Sequence, residues 1–363
     1  MSAAPAAKPP PPKGRGAQSN ATGRYESLVR EDFDDGWTPD DAEPKKLRTV
    51  LHLERARRII TTNDSPDIGF DQSINPYRGC EHGCIYCYAR PAHAYVGFSP
   101  GLDFESQLFF KPEAARLLEK ELSRKGYVPK PIHIGGNTDP YQPIERGLRI
   151  TRQVIEVLDR FNHPFSIITK NALITRDLDL FGPLAERNLV RTAVSVTTLD
   201  RKLARAMEPR AATPERRLDA IRQLSQAGVP CAVSVAPVIP GLNDHEIEAI
   251  LERAAEAGAS GAHFTALRLP LEIKDLFREW LQSERPERAS RVMSLVRQMR
   301  GGKDYDPQWN SRMSGQGPIA ELIAARFRSA KKRLGLERER LSLDVSAFRV
   351  PPRAGDQRDL FLG

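Results

Sequence analysis

The sequence predicts an α/β fold, a partial (β/α)6 TIM-type barrel between a disordered N-terminal tail and a helical, basic C-terminal extension. Two observations favour this fold. Short apolar runs rich in β-branched residues alternate with longer runs of helical period through the middle of the chain. The 363 residues suffice for one large barrel with tails, and no apolar run approaches the about 18 residues that a membrane span needs.

The predicted elements follow one another along the chain. Residues 49–62 are rich in leucine, isoleucine and arginine, and their ambiguous period fits either a lead-in strand or a short helix. Six barrel strands are predicted: one just before Cys80, then 132–136, 165–169, 190–196, 231–235 and 263–267. Four helices are predicted between them: 150–161, 178–187, 213–227 and 244–257. This alternation indicates parallel βαβ units, whose active sites lie at the C-terminal ends of the strands.

Composition divides the chain into four regions. Residues 1–45 are rich in Ala, Pro, Gly and acidic residues without an apolar period, which predicts a disordered tail. Residues 46–300 are predicted to form the barrel, residues 301–340 a helical basic extension, and residues 341–363 a flexible tail.

The charge of the chain is positive and partly localised. The formal net charge is +8 and the sequence pI is about 9.4, which suits a polyanionic partner but also serves solubility alone. Seven cations against two glutamates form a basic segment: Arg326, Arg328, Lys331, Lys332, Arg333, Arg338 and Arg340. This segment predicts contact with nucleic acid.

Three of the four cysteines form a compact motif. Cys80, Cys84 and Cys87 have the spacing C-x3-C-x2-C. Thiolates are the usual ligands of iron–sulfur clusters, and three of them leave one iron of a cubane cluster without a protein ligand, where chemistry can take place. A zinc site completed by His82 or His93 is the alternative, although the spacing does not match the usual zinc motifs. The N-terminus has no signal-peptide core, so we expect a cytoplasmic protein with reduced thiols and no disulfides.

The motif resembles the cluster loop of radical S-adenosylmethionine (SAM) enzymes. In that superfamily the open iron of a [4Fe-4S] cluster chelates SAM, and an electron from the cluster cleaves the sulfonium bond to give a 5′-deoxyadenosyl radical. The resemblance therefore implies both cofactors and an external reductant such as flavodoxin or ferredoxin. Tyr86, just before Cys87, matches the aromatic residue that these loops place over the cluster near the adenine.

A closer resemblance is carried by further motifs between residues 74 and 267. Gly-Gly-Asn-Thr-Asp-Pro, Ile-Thr-Lys-Asn, Met-Glu-Pro-Arg and Ala-Pro-Val-Ile-Pro-Gly-Leu-Asn-Asp are similar to those of the spore photoproduct lyase-related branch of radical SAM proteins. The resemblance implies that Cys80, Cys84 and Cys87 ligate the cluster. Further residues are implied as cofactor contacts: Gly135, Gly136, Asn137, Thr138 and Asp139 for the amino group, and Lys170, Ser195 and Ser234 for the carboxylate and ribose.

The resemblance also suggests hydrogen-transfer residues. The lyase relays hydrogen through a tyrosine beside the third cysteine and through a dedicated active-site cysteine, and this chain keeps Tyr88 beside Tyr86. It has no cysteine between residues 135 and 141, so the spare thiol is Cys231, which is either a hydrogen donor or a small apolar core residue. Damaged or modified DNA is the leading predicted substrate. A modifier of RNA or protein, and a non-catalytic metal-binding scaffold, remain open.

The last residues carry one further pattern. The peptide from Gln357 to Phe361, Gln-Arg-Asp-Leu-Phe, resembles the motif by which bacterial replication and repair proteins bind the β sliding clamp. The alternative is a chain end that folds back and covers the barrel with Leu360 and Phe361.

Overall fold

The computed structural model describes residues 13–26, 47–337 and 342–352. These residues form ten strands: β1 (Val50–Leu53), β2 (Ile60–Thr62), β3 (Gln72–Ile74), β4 (Tyr77–Arg78), β5 (Gln107–Phe110), β6 (Ile132–Ile134), β7 (Phe165–Thr169), β8 (Val190–Ser195), β9 (Cys231–Val238) and β10 (Gly261–Ala266). They form twelve α-helices: α1 (Asp103–Ser106), α2 (Ala114–Leu122), α3 (Glu145–Leu148), α4 (Ile150–Arg160), α5 (Leu178–Glu186), α6 (Arg201–Met207), α7 (Pro214–Gln226), α8 (Ile247–Glu256), α9 (Ile273–Glu284), α10 (Pro286–Gln298), α11 (Ser311–Ser314) and α12 (Gly317–Arg333). Among these described helices, none has the length and apolar character needed to cross a membrane.

A seven-stranded sheet forms the centre of the described chain, in the order β10-β9-β8-β7-β6-β3-β2. Six neighbouring strands, β3 and β6 to β10, pair in parallel, and β2 joins β3 in antiparallel orientation. Helices connect the parallel strands from β6 onwards. The predicted α/β fold with a partial barrel of six βα units is therefore confirmed.

The first of the parallel strands, β3, ends at Ile74, six residues before Cys80. The ambiguous stretch of residues 49–62 becomes two strands, β1 and β2, rather than a helix. Their partners explain the outcome, since β1 pairs with β5 in a separate small sheet whereas β2 extends the main one. Such partners are not visible in local periodicity.

The other edge of the sheet is covered by the C-terminal helix α12. Phe327 of this helix packs on Phe264 of β10 with ring centroids 4.8 Å apart. Just beyond the helix, Glu337 forms an isolated antiparallel bridge with Gly261 of β10. Covering an edge strand in this way protects its unpaired backbone groups from other chains.

The basic segment has a structural role that the sequence did not indicate. Arg326 pairs with Glu248 at 2.6 Å and Arg333 pairs with Glu252 at 2.8 Å, both acids belonging to α8. Arg328 and Lys332 are exposed. Arg338, Arg340 and the whole peptide from Gln357 to Phe361 lie outside the described residues, so the clamp-binding interpretation stays a prediction.

The predicted disorder of residues 1–45 is wrong for residues 13–26, which we call the N-terminal segment. The backbone amides of Gly16 and Ala17 donate to the buried carboxylate of Glu105 at 2.9 and 2.8 Å. The hydroxyl of Ser19 donates to Glu279 of α9 at 2.6 Å. A composition poor in apolar residues does not prevent a segment from docking through its backbone. Residues 1–12 and 27–46 lie outside the described residues.

Candidate active site

A cavity of about 300 Å³ opens at the C-terminal ends of the parallel strands. The fold places functional residues at this end, because the loops that follow each strand converge there. The cavity lining brings together thirteen residues that the sequence predicted: Cys80, Cys84, Cys87, Tyr86, Tyr88, Gly135, Gly136, Asn137, Thr138, Asp139, Lys170, Ser195 and Ser234.

The cysteine loop, residues 75–90, is held in place by Arg90. This side chain is fully buried, and its Nε donates to the carbonyl of Cys84 at 2.9 Å. Its guanidinium also donates to the carbonyls of Pro100 and Gly101 and pairs with the carboxylate of Glu105. A planar five-donor group suits this task, since it satisfies several acceptors at once. The loop geometry therefore does not depend on a bound ligand alone.

The N-terminal segment packs directly on the cysteine loop. A Cβ atom on Gly16 would lie 1.8 Å from the carbonyl oxygen of Gly83, so only glycine allows this approach. Arg15 adds a hydrogen bond to the carbonyl of Glu105 at 2.6 Å. The segment thus closes the outer side of the loop.

The three thiols share a buried environment. Burial is the largest cause that raises the pKa of Cys80 and Cys84 well above the ordinary value, and it also raises the pKa of Cys87. A coordinated metal centre deprotonates its thiol ligands outright and so offsets this cost. Three thiols on one loop, two of them buried and that of Cys87 half-buried, line one cavity and fit a cluster with a single open iron.

The two histidines of the zinc alternative, His82 and His93, have different surroundings. The Nδ1 of His82 faces the Asp139 carboxylate at 3.3 Å, and its Nε2 faces the amide nitrogen of Asn171 at 3.3 Å. The ring of His93 is fully buried beside Phe98 and Phe104. His82 thus faces two polar partners, and His93 does not line the cavity that the three cysteines line.

The turn after β6 is shaped by Gly135 and fixed by Asp139. Gly135 has φ +102°, and a Cβ there would lie 2.7 Å from the carbonyl oxygen of Ile168. The Asp139 carboxylate accepts hydrogen bonds from the Thr169 hydroxyl at 2.6 Å and the Lys170 amide at 2.7 Å. Burial opposes ionisation, but the nearby His82 and these donors lower the pKa of Asp139 below its ordinary value. Asp139 therefore braces the turn as an anion.

The same turn is bonded to the cysteine loop. The Asn137 amide donates to the side-chain oxygen of Asn75 at 2.9 Å, and the Thr138 hydroxyl donates to the carbonyl of Tyr77 at 3.2 Å. Gln142 bonds to the Glu81 amide at 2.9 Å. The side chains of Thr138 and Asp139 thus hold the site together. Both residues also line the cavity, and their contact with the cofactor stays a prediction.

A buried polar network supports Tyr86. Its hydroxyl donates to Glu208, which also accepts from the Thr197 hydroxyl at 2.6 Å and pairs with Arg217. The Nζ of Lys170 lies 5.7 Å from the centre of the Tyr86 ring and 3.9 Å from the Glu208 carboxylate. Burial lowers the pKa of Lys170. The sequence motif Met-Glu-Pro-Arg contains Glu208, but only the fold reveals that its carboxylate accepts a hydrogen bond from Tyr86.

The remaining predicted residues occupy different positions. Ser195 and Ser234 are paired neighbours on β8 and β9 and both line the cavity. The Tyr88 ring is 47% exposed, and its hydroxyl donates to the carbonyl of Gly136. Cys231 is the first residue of β9, lies in the hydrophobic core and does not line the cavity. Because Ser234 on the same strand lines the cavity, three residues or about 10 Å along the strand separate Cys231 from the lining, and its role as hydrogen donor stays a prediction.

The sequence analysis missed three polar residues of the cavity lining, one on β6 and two on or just after β10. Arg268, His133 and His263 all line the cavity. Arg268 directly follows the predicted strand 263–267, so the strand-end rule that selects Lys170 selects Arg268 as well. His133 stacks on Phe70 at 4.3 Å, and burial followed by the charge of His263 lowers the pKa of His133 to about 4. His133 is therefore neutral at physiological pH.

Comparisons with known proteins agree with this geometry. Residues 74–254 match the sequence profile of the Radical SAM superfamily. An uncharacterised protein of Mycobacterium tuberculosis is 36% identical over 287 residues, which cover 78% of this chain and 81% of that protein. The Radical SAM Nalpha-GlyT isomerase of Pseudomonas phage M6 is 26% identical over 195 residues, covering 52% of this chain and 38% of that protein.

Solved structures show the same fold. A spore photoproduct lyase variant with bound AdoMet and dinucleoside spore photoproduct has a TM-score of 0.51 at 14% identity, covering 79% of this chain and 78% of that one. A second variant of that lyase has a TM-score of 0.52, also at 14% identity, covering 79% and 80%. At this identity the likeness concerns the fold alone.

Proposed function

The chain belongs to the radical SAM superfamily, and from this premise we propose that it acts on nucleic acid, with damaged or modified DNA as substrate. The superfamily uses a [4Fe-4S] cluster and SAM, and members require an external reductant. We propose that a flavodoxin or ferredoxin delivers the electron. The observation that carries the enzymatic assignment is the convergence of Cys80, Cys84 and Cys87 on one strand-end cavity.

The three thiols are proposed to hold three irons of the cluster and to leave the fourth facing the cavity. When bound, the cluster and SAM supply a 5′-deoxyadenosyl radical, which removes a hydrogen atom from the substrate. The residues of the protein are proposed to position the cysteine loop and the cofactor and to exclude water from the cavity. Arg90 and the N-terminal segment fix the cysteine loop, and the cavity would hold the reacting groups near it.

The other side chains are proposed to bind and orient the cofactor. The backbone of Gly135, Gly136 and Asn137 faces the cavity where a small turn lets a ligand approach closely. The Lys170 ammonium is proposed to pair with the SAM carboxylate, and Ser195 and Ser234 to bond the ribose. Tyr86 lines the cavity and is held by its hydrogen bond to Glu208, and its ring is proposed to lie against the adenine. Tyr88 is proposed to pass a hydrogen atom at the exposed rim.

Two observations support nucleic acid as the substrate class. The net charge of +8 favours a polyanion. The solved structures of the same fold include one with a dinucleoside photoproduct. A second candidate is an isomerase reaction on a modified substrate, which the name of the phage relative favours. A lyase and an isomerase share the first hydrogen abstraction and differ in the product.

The decisive experiment is anaerobic reconstitution with iron and sulfide followed by reduction in the presence of SAM. Release of 5′-deoxyadenosine is measured without substrate and then with ultraviolet-irradiated DNA, undamaged DNA, RNA and a peptide pool. We expect irradiated DNA to accelerate the release most, and mass spectrometry of the DNA separates a cleaved from an isomerised product. Acceleration by RNA or peptides instead of DNA would reject the proposed substrate. Absence of cleavage with every reductant would reject the enzyme assignment.

A further inference from the structure

We propose that Arg268 is the phosphate-binding residue of the substrate site, on the β10 side of the cavity. This inference rests on the proposed function, since it takes the substrate to be a nucleic acid, and it assigns to one side chain the contact with a phosphodiester group. Arg268 stands two residues after the end of β10 and lines the cavity.

The guanidinium of Arg268 is held in position without an anionic partner. Its centre lies 5.3 Å from the centroid of the Tyr88 ring. Its Nη1 donates to the sulfur of Met313 at 3.3 Å, and a thioether is a weak acceptor. Its Nε is buried and has no hydrogen-bond partner. Stacking on Tyr88 thus orients the guanidinium of Arg268, while at least one of its five N–H donors has no hydrogen-bond acceptor.

Two buried arginines near the site form ion pairs with carboxylates. Arg90 pairs with Glu105, and Arg217 pairs with Glu208. Among the described residues, no carboxylate forms an ion pair with Arg268. A half-buried cation without a counter-ion is unfavourable, because no ion pair offsets its desolvation free energy. A bound anionic ligand would offset that free energy.

A second cation lies behind Arg268. Arg300 is buried and donates to the carbonyls of Leu267 and Ser311, both at 2.8 Å. Burial, and next the charge of Arg268, lower the pKa of Arg300, so the two guanidinium groups lie near enough to repel each other. Their common field makes this side of the cavity attractive to an anion.

The position favours a substrate phosphate over the carboxylate of the cofactor. Lys170 and the Gly135 turn, the proposed cofactor contacts, follow β7 and β6, whereas Arg268 follows β10 at the far edge of the parallel strands. Tyr88, over which Arg268 stacks, is exposed at the rim. A phosphodiester presents two equivalent oxygens that match the guanidinium fork.

The test uses the reconstituted holoenzyme and a short fluorescent single-stranded DNA with either phosphodiester or uncharged methylphosphonate linkages. Anisotropy titrations compare the wild type with Arg268→Gln, Arg268→Lys and the exposed control Arg146→Gln, which removes an equal charge. We expect Arg268→Gln to bind phosphodiester DNA about 10- to 100-fold more weakly, with a salt slope smaller by about one. Arg268→Lys should lie between, and methylphosphonate DNA should not discriminate between wild type and Arg268→Gln.

Cluster absorbance and melting temperature establish that each variant is folded, and equilibrium dialysis gives its SAM affinity. Equal DNA affinity of wild type and Arg268→Gln would overturn the assignment of Arg268 while leaving the proposed function intact. A loss of SAM affinity without a loss of DNA affinity would assign the side chain to the cofactor carboxylate instead. A wild-type protein that binds neither DNA would overturn the substrate class and this inference together.

Discussion

The two sides of the cavity differ in how their charged groups are satisfied. On the side of the cysteine loop, Arg90, Glu105, Asp139 and Glu208 all have partners within the protein. On the side of β10, Arg268 has a buried Nε without an acceptor. Groups paired in advance keep a site rigid, whereas an unpaired group gains from a ligand. The comparison separates a half with paired charges, where the proposed cofactor contacts lie and which we call the cofactor half, from a half with an unpaired cation, where the proposed substrate phosphate would bind.

The largest expected effect lies in the cofactor half. Replacing Cys84 by alanine removes a thiol that no described neighbour can replace, so iron–sulfur absorbance and SAM cleavage should be lost completely. Alanine at Cys80 or Cys87 should act in the same way. The control is Cys231→Ala, which should keep both signals because that residue lies in the core away from the cavity. An unchanged cluster spectrum in the Cys84 variant would refute the cluster assignment.

The next effect concerns the ion pair beneath the loop. Glu105→Gln leaves the fully buried Arg90 without its counter-ion and should lower the free energy of unfolding by about 3–5 kcal/mol in urea titrations. The matched control is Asp219→Asn, which breaks the exposed pair with Arg222 at 2.8 Å and should cost less than about 1 kcal/mol. Similar losses in the two variants would show that the loop is not held by this pair.

The cofactor half should also determine part of the response to acid. Burial lowers the pKa of His93 to about 4, so the folded state binds its proton less readily than the unfolded chain, whose histidines titrate near about 6.5. Stability is therefore highest above the unfolded pKa and falls as the pH decreases towards about 4. Between about pH 7.5 and about pH 5, the free energy of unfolding should therefore fall by about 2 kcal/mol less in His93→Phe than in the wild type.

Urea unfolding at the two pH values measures this difference. The control is His245→Gln, an exposed histidine that should leave the acid loss as it is in the wild type. An equally steep loss in the His93 variant would mean that the imidazole is protonated in the folded protein.

The smallest effect is expected on the outer surface. Charge reversal of the exposed Arg328 and Lys332 should weaken DNA binding by less than about threefold at physiological salt, because solvated charges are screened. The melting temperature should not change, since Arg326 and Arg333 keep their pairs with α8. A loss larger than that of Arg268→Gln would move the nucleic-acid interface from the cavity to α12.

The elements that sequence periodicity predicts well are those with their own apolar pattern. The predicted strand 165–169 coincides with β7, and its buried residues alternate. The motif residues Cys80, Gly135 and Lys170 were placed correctly in one cavity because each belongs to a strand-end loop. Periodicity carries no information on contacts between distant segments. For that reason the docking of Gly16 on Gly83, and the exclusion of Cys231 from the cavity, needed the fold.

The N-terminal segment has a consequence for biosynthesis. Gly16 leaves the ribosome early, but its acceptor Glu105 follows 89 residues later, and the Glu279 partner of Ser19 follows after 260. The contacts with Glu105 can therefore form before most of the barrel has been synthesised, whereas the contact with Glu279 cannot. The order of translation thus makes the contact with α9 the last one that fixes the N-terminal segment beside the cysteine loop.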